Sequence, residues 1–409
     1  MIRWITEFLG TASWNDVKES SDIHILDVRD LVDKEGNPQM AIKSKIQEAL
    51  EYLQQGKRVV VCCDYGISRS NAIAAGILSK YKNISFHEAI KKVITVTGES
   101  QMKLEVISAV AKALENEIQK FKSKHSILLT GGKGFIGSNL LLSLTKYDFV
   151  APSRSEVDLT YDLVKLDLLV KEKGIDTILH LANPRVYGTN ESIGPTLTML
   201  KNVLDVCIKN DLWLIYLSSW EVYSGYKTAE LKADESLAQY PGSTYGQTKF
   251  LCETLIRHFH NRYGLRYTIL RSSPVYGINS DRPKFIWNFL EKAMRNDEII
   301  THKYLNGFPK LDLIHVDDIC RAIICTIEKD AYGEFNIGTG VGTSTKEIAH
   351  YIIEITGSKS KVSHLQIESY TYNIVMDYTR ASNVLGWHPK IELQQGLKDL
   401  IKLVQERRK

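Results

Sequence analysis

The chain has 409 residues, 44% hydrophobic and 24% charged, which is the balance of an ordinary globular protein and more length than one core comfortably fills. A net charge of +4 at pH 7 is too small over this length to make a nucleic-acid face, so small polar ligands are the better expectation. No apolar run approaches the roughly 20 residues needed to span a bilayer, and Met1 to Gly10 lacks a signal-peptide design, so a cytoplasmic protein without membrane contact is expected.

The first segment alternates strand and helix patterns: a strand over Ile23 to Val28, a helix through about Ile42 to Gln55, a strand over Arg58 to Cys62, and a helix from Ser70. That alternation predicts a three-layer α/β unit. The basic stretch Lys120-Phe121-Lys122-Ser123-Lys124-His125 interrupts the pattern before the apolar Ile127-Leu128-Leu129, which puts a boundary near residue 123 and domains over 1–122 and 126–409. Beyond it come strands at Ile127 to Thr130, Phe149-Val150, Thr177 to Leu179 and Trp213 to Leu217, with helices from Phe135 and over Pro195 to Ile208. Repeated βαβ units predict right-handed crossovers and a doubly wound parallel sheet. From about Lys284 the alternation breaks, which predicts a smaller lobe, drawn mainly from about 284–409, at the carboxyl ends of the strands. The six cysteines show neither a disulfide framework nor zinc spacing, so reduced thiols and no metal site are expected.

Cys63-Asp64-Tyr65-Gly66-Ile67-Ser68-Arg69-Ser70 ends a strand with a cysteine, six residues before an arginine that opens a helix. The N–H groups of such a turn and Arg69 can surround an anion, and the helix start lowers the thiol pKa. Gly66 permits the tight turn, and Ser70 can hydrogen-bond the sulfur. A thiolate here can attack phosphorus to give a phosphocysteine that water then hydrolyses. From about Ile5 to Leu78 the segment resembles the dual-specificity branch of the protein tyrosine phosphatases. The resemblance implies hydrolysis of a phosphomonoester, on a small metabolite or a phosphoprotein, with a carboxylic acid some thirty residues before the cysteine. Asp30 and Asp33 both fit, with Asp30 preferred. Cys62 replaces the family's histidine, which implies a less acidic Cys63 and a vicinal pair that oxidises easily.

The loop Gly131-Gly132-Lys133-Gly134-Phe135-Ile136-Gly137 follows an apolar strand and opens a helix, the setting in which glycines let a pyrophosphate approach backbone N–H groups. Gly131, Gly134, Phe135, Ile136 and Gly137 are therefore candidate dinucleotide contacts. At the end of the second strand stands Arg154, whose guanidinium can pair with a ribose 2′-phosphate, so NADP(H) is favoured over NAD(H). Glu156 and Asp158 can still reach the adenosine, and Asp158-Leu159 has the position of an adenine-contacting pair.

Tyr245 and Lys249 are four apart on a predicted helix and share one face, so the ammonium can lower the phenol's pKa. Ser219 ends a strand and can hydrogen-bond the reacting oxygen. With these motifs, His180-Leu181-Ala182, Leu270-Arg271-Ser272-Ser273-Pro274-Val275-Tyr276-Gly277, Asp312 to Asp318, Asn336 to Gly340 and Leu385 to Pro389 recur in family order, and residues 126 to 405 resemble the extended short-chain dehydrogenase/reductases that act on nucleotide sugars. The resemblance implies a catalytic set of Ser219, Tyr245 and Lys249, cofactor contacts at Leu181 and Ala182, and a dimer through a helix pair. Substrate contacts are expected from Ser219, Trp220, Glu221 and Arg271, the last gripping a diphosphate. Ser219-Trp220-Glu221 lacks the aspartate of the sugar dehydratases, which argues against 4,6-dehydration. Reduction of a 4-keto nucleotide sugar is favoured and 4-epimerisation is the runner-up; Thr196 stands near where the family has a proton-relay asparagine. The whole chain reads as a bifunctional enzyme, against a regulatory phosphoprotein phosphatase fused to an epimerase, or a non-catalytic NADP and phosphate sensor.

Overall fold

The run Val59-Val60-Val61-Cys62-Cys63 has no polar face, and it forms the middle of the first sheet. A computed structural model of the chain describes residues 2–17, 22–33, 36–84, 86–98, 102–114, 125–141, 143–144, 147–184, 186–228, 230–278, 280 and 283–408. The chain divides into two compact units, Met1–Lys122 with Leu403–Lys409, and Ser123–Lys402. Residues 120–124, where the boundary is expected, lie outside the described residues.

In the first unit β1 (Arg3–Trp4), β2 (Leu9–Ser13), β3 (Ile23–Asp27) and β4 (Arg58–Cys63) form a sheet in the order β1-β2-β4-β3, parallel except between β1 and β2. Helices α1 (Gln39–Gln54), α2 (Arg69–Lys82), α3 (Phe86–Thr97) and α4 (Leu104–Leu114) are joined by mutual contacts through α2. A sheet keeps helices on its opposite faces apart, so these four share one face. The other face carries Ala12, Val60 and Cys62 under partly buried Ile2, Trp4, Val17, Ile23 and Ile25. The sheet and these four helices account for two of the expected three layers. β3 to β4 passes through α1, whereas β2 to β3 runs the opposite way across the sheet, its described residues including the short turn Trp14–Asp16.

The second unit contains, in order, β5 (Ser126–Thr130), α5 (Phe135–Leu141), β6 (Asp148–Val150), α6 (Leu163–Glu172), β7 (Thr177–His180), α7 (Asn190–Lys209), β8 (Trp213–Ser219), β9 (Leu231–Ala233), α8 (Thr244–Tyr263), β10 (Arg266–Ser272), β11 (Val275–Tyr276) and α9 (Lys284–Arg295). There follow β12 (Ile299–Tyr304), β13 (Lys310–Leu311), β14 (Ile314–His315), α10 (Val316–Lys329), β15 (Gly333–Ile337), β16 (Thr343–Ser344), α11 (Thr345–Thr356), β17 (Val362–Ile367), β18 (Ile374–Met376) and α12 (Thr379–Leu385), and then α13 (Leu393–Arg408), whose residues from Leu403 on are counted with the first unit. Six strands make a wholly parallel sheet in the order β15-β10-β8-β7-β5-β6. Leu128, Ile178, Leu214 and Ile269 on its strands pack with Leu200, Val203 and Ile256 of α7 and α8 in one core cluster. The chain leaves β5 for β6 and returns to the other side of β5 as β7, so the loops after β5 and β7 part and open a crevice.

The smaller lobe draws mostly on the chain from about residue 284, but not on it alone. β12 pairs with β17, and β13, β16 and β18 form a second sheet with β9, while β15 lies back in the main sheet. Three separate stretches of chain thus build the lobe. Among the described residues no helix is long and apolar enough to cross a membrane.

Candidate active site

The glycine loop is shaped by close packing of backbone on backbone. Gly131 has φ +77°, and a Cβ there would stand 2.8 Å from the Ala182 nitrogen; a Cβ on Gly137 would stand 2.3 Å from the Gly131 carbonyl oxygen. Only glycine lets β5, the loop after β7 and the start of α5 approach this closely. His180 donates or accepts at Thr130 Oγ1, 2.8 Å away, and burial brings its pKa down to about 3, so a neutral ring ties the ends of β5 and β7 together.

Where those loops part, a cavity of about 920 Å³ opens. Its walls include Gly131, Gly134, Phe135, Ile136 and Gly137, then Arg154, Asp158, Leu159, Leu181 and Ala182, and opposite them Ser219, Trp220, Glu221, Tyr245 and Lys249. Sequence reasoning missed Tyr187 and Tyr372, which also line it, and whose neighbours in sequence give no periodic signal.

Ser219 ends β8 and caps the turn Trp220–Tyr223, its Oγ accepting from the Glu221 N–H at 3.2 Å. Ser243 caps α8, accepts from the Gly246 N–H at 2.9 Å and donates its hydroxyl proton to Glu221 Oε2 at 2.5 Å. A Cβ on Gly246 would lie 2.3 Å from the Glu221 carbonyl oxygen, so this glycine lets the first turn of α8 sit against the Ser219 turn. Tyr245, the residue before it, is carried by that turn and lines the same cavity as Ser219. Burial raises the Glu221 pKa against the lowering effect of the Ser243 hydroxyl.

Lys249, one turn further on, is buried, and its Nζ donates to Tyr216 Oη at 3.0 Å and to the Leu217 carbonyl at 2.8 Å. It lies 5.7 Å from the Tyr245 ring centroid. Burial lowers its pKa to about 8, partly opposed by Cys252 and Glu253. The cavity can therefore hold a flat dinucleotide along the glycine loop, with a hydroxyl, a phenol and an ammonium at its inner end.

Several expected contacts differ. Arg154 reaches the rim but its Nε donates to Asp158 Oδ2 at 3.0 Å, so it is already paired with a carboxylate. Trp220 packs in a core cluster with its ring 4.9 Å from that of Tyr372, leaving little of it for stacking on a sugar. Arg271 does not reach the cavity: it is 1% exposed and bound to Glu253, Glu334 and Tyr223, because its strand position points it under α8. Thr196 donates to the Ser192 carbonyl of its own helix and is not among the cavity residues. His315 caps α10, accepting from the Asp317 N–H.

In the first unit Cys63 Sγ accepts from the Gly66 N–H at 3.2 Å and lies 3.4 Å from Ser70 Oγ. Burial alone would raise its pKa, but the Ser70 hydroxyl and the N–H groups of Ser70, Ile67 and Gly66 hold it below the ordinary thiol value. Gly66 has φ +70°, and a Cβ there would lie 2.5 Å from the backbone of Ala12 and Ser13. Arg69 is buried, donates to Asp64 Oδ2 at 2.5 Å and to the Leu31 carbonyl at 2.8 Å, and its Nε stands 3.4 Å from Asp33. Arg69 Nε and Asp33 Oδ1 have no hydrogen-bond partner among the described residues. Asp30 is paired with Lys45, 3.1 Å from its Nζ, so of the two candidate acids Asp33, and not the preferred Asp30, is brought to the cradle arginine, beside Asp64. Cys62 and Cys63 alternate across the strand, with Cys62 in the cluster of Ala12 and Val60 and its pKa pushed up to about 12 by burial, Asp27 and Cys63. That alternation corrects the expectation of an easily oxidised vicinal pair.

A family model described as the NAD dependent epimerase/dehydratase family matches residues 127–338; residues 1–126 lie outside that match. The dTDP-4-dehydro-6-deoxyglucose reductase of Escherichia coli is 27% identical over 69% of this chain and 98% of its own. The dTDP-D-glucose 4,6-dehydratase of Mus musculus is 25% identical over 67% of this chain and 87% of its own. The crystal structure of Thermotoga maritima UDP-glucose 4-epimerase with UDP-glucose aligns with a TM-score of 0.60 and 26% identity, over 69% of this chain and 100% of that one.

Proposed function

The chain belongs to the NAD dependent epimerase/dehydratase family, and from that premise we propose that residues 123–402 epimerise a nucleoside-diphosphate hexose at C4 by transient oxidation with bound NAD. The observation that carries this reading is a cavity lined by the glycine cradle and by Ser219, Tyr245 and Lys249 together. A bound nicotinamide supplies the hydride acceptor. Tyr245 takes the proton of the C4 hydroxyl and returns it after the ketone has turned over in the site, Lys249 favours the phenolate by its charge, and Ser219 hydrogen-bonds the C4 oxygen. Trp220, where an acid would serve 4,6-elimination, offers no proton.

Two features support NAD over NADP. Arg154 is already paired with Asp158, and that carboxylate would repel a 2′-phosphate placed beside the arginine. Reduction of a 4-keto sugar by NADPH remains the second reading, favoured by the exposure of the Arg154 side chain at the cavity rim. Chromatography of UDP- and dTDP-linked hexoses incubated with the protein separates the two: epimer without added cofactor supports the first, substrate-dependent NADPH oxidation the second. For Arg154→Ala, NAD(H) affinity measured by calorimetry is expected to stay within about threefold of wild type, since an exposed ion pair contributes little. Tighter NADP(H) binding that collapses in this variant would reverse the order.

For the first unit we propose hydrolysis of a phosphomonoester, supported by the converging donors on Cys63 and the buried Arg69 with an unsatisfied Nε–H. Cys63 attacks phosphorus, the bond to the leaving oxygen breaks as Asp33 protonates it, and water then cleaves the phosphocysteine to release phosphate and restore the thiolate. Release of the aryl alcohol from an aryl phosphate is expected to fall to the buffer rate in Cys63→Ser. Turnover that survives this change would exclude the cysteine as nucleophile; phosphate binding without turnover in the wild type would leave a sensor.

A further inference from the structure

We infer that Tyr216 is the positioning residue for Lys249: its phenol oxygen and the Leu217 carbonyl take two of the three ammonium protons and leave the third for the cavity. The functional weight of this inference rests on the hydride-transfer reading of residues 123–402.

Tyr216 lies on β8 with 2% of its surface exposed, in a position where a phenylalanine would fill the same space. Burial, with Cys252, Tyr245 and Glu253 around it, holds its pKa well above the ordinary phenol value. The group therefore stays neutral, with its oxygen left to accept from Lys249. A buried ammonium without such acceptors loses the solvation that keeps it charged.

The other groups around Lys249 do not take this role. Tyr245 on α8 faces it ring-on at 5.7 Å, and Glu253 on α8 is engaged by Arg271. His180 on β7 is kept neutral by burial and by the lysine's charge, so it is no counter-charge for Lys249. Thr196, standing near the expected relay position, is bound within its own helix. Tyr216 thus holds the lysine charged and aimed, and through that charge sets the pKa of Tyr245.

The test is to titrate the Lys249 side chain by NMR in the wild type and in Tyr216→Phe, matched for melting temperature. The midpoint is expected to fall by about one pH unit in the variant, a tenfold loss of ammonium stability from one lost hydrogen bond to a charge. Identical midpoints would overturn the inference. In the pH profile of kcat/KM the falling limb should move acid by the same amount; a lower amplitude with unmoved limbs would mean that Tyr216 only fills space, and would also overturn it. If no nucleotide sugar is turned over, the functional reading has failed while the titration still decides this one. Should the variant not fold, the wild-type spectrum suffices: Nζ protons showing no nuclear Overhauser contact with the Tyr216 ring would refute the placement, and such a contact with a midpoint near 8 would support it.

Discussion

Tyr245→Phe is expected to lower nucleotide-sugar turnover by about a thousandfold while leaving the melting temperature and dinucleotide affinity close to wild type. The ring is half-buried and packs at 5.1 Å from Tyr187, and phenylalanine preserves that contact. Only the hydroxyl at the end of the cavity is lost, and with it the acceptor for the C4 proton. No neighbouring group replaces it, because Lys249 is held by Tyr216 and Leu217 and Glu221 is bound to Ser243. The measurement is kcat in a steady-state assay with saturating sugar nucleotide. Activity within tenfold of wild type would remove Tyr245 from acid-base catalysis and move the search to Glu221.

Arg271→Ala is expected to destabilise the protein by about 3 to 5 kcal/mol, the cost of leaving a buried partner charge uncompensated. Arg271 Nε stands 3.1 Å from both Glu253 oxygens, its Nη2 2.7 Å from Glu253 Oε2, and its Nη1 2.8 Å from Tyr223 Oη. Glu253 is fully buried and also accepts from Ser218 at 2.5 Å, while Arg257 links it to Glu334. The network ties α8 to β8, β10 and β15, so the helix carrying Tyr245 and Lys249 is held from beneath by charge. Urea denaturation reads the loss. Had Arg271 gripped a substrate diphosphate, alanine would raise KM and leave the midpoint unmoved.

Much of the candidate site was legible because it is local. The glycine loop, Ser219 and the Tyr245/Lys249 pair each sit within one strand–turn–helix step, so spacing alone places them. Arg271 was misread because its partners Glu253 and Glu334 lie 18 and 63 residues away, and no local pattern tells a buried arginine from a ligand clamp. Asp30 and Asp33 differ by three positions in a loop whose path is set by tertiary contacts, among them the Arg69 bonds to the Arg29 and Leu31 carbonyls. The separation of Cys62 from Cys63, by contrast, follows from strand alternation and was available from the sequence.

The three-stretch construction of the smaller lobe limits how this site can be re-engineered. Leu311 and Tyr372 reach the cavity from β13 and from just before β18, strands separated by the return of the chain to the main sheet as β15. Splicing the carboxyl-terminal third of a relative onto this chain would carry away β15, an edge of the Rossmann sheet, and would leave β9 behind without its mate β18. Transplanting specificity between such proteins calls for interleaved grafts at several junctions, or for point changes on the cavity wall, in place of a single cut.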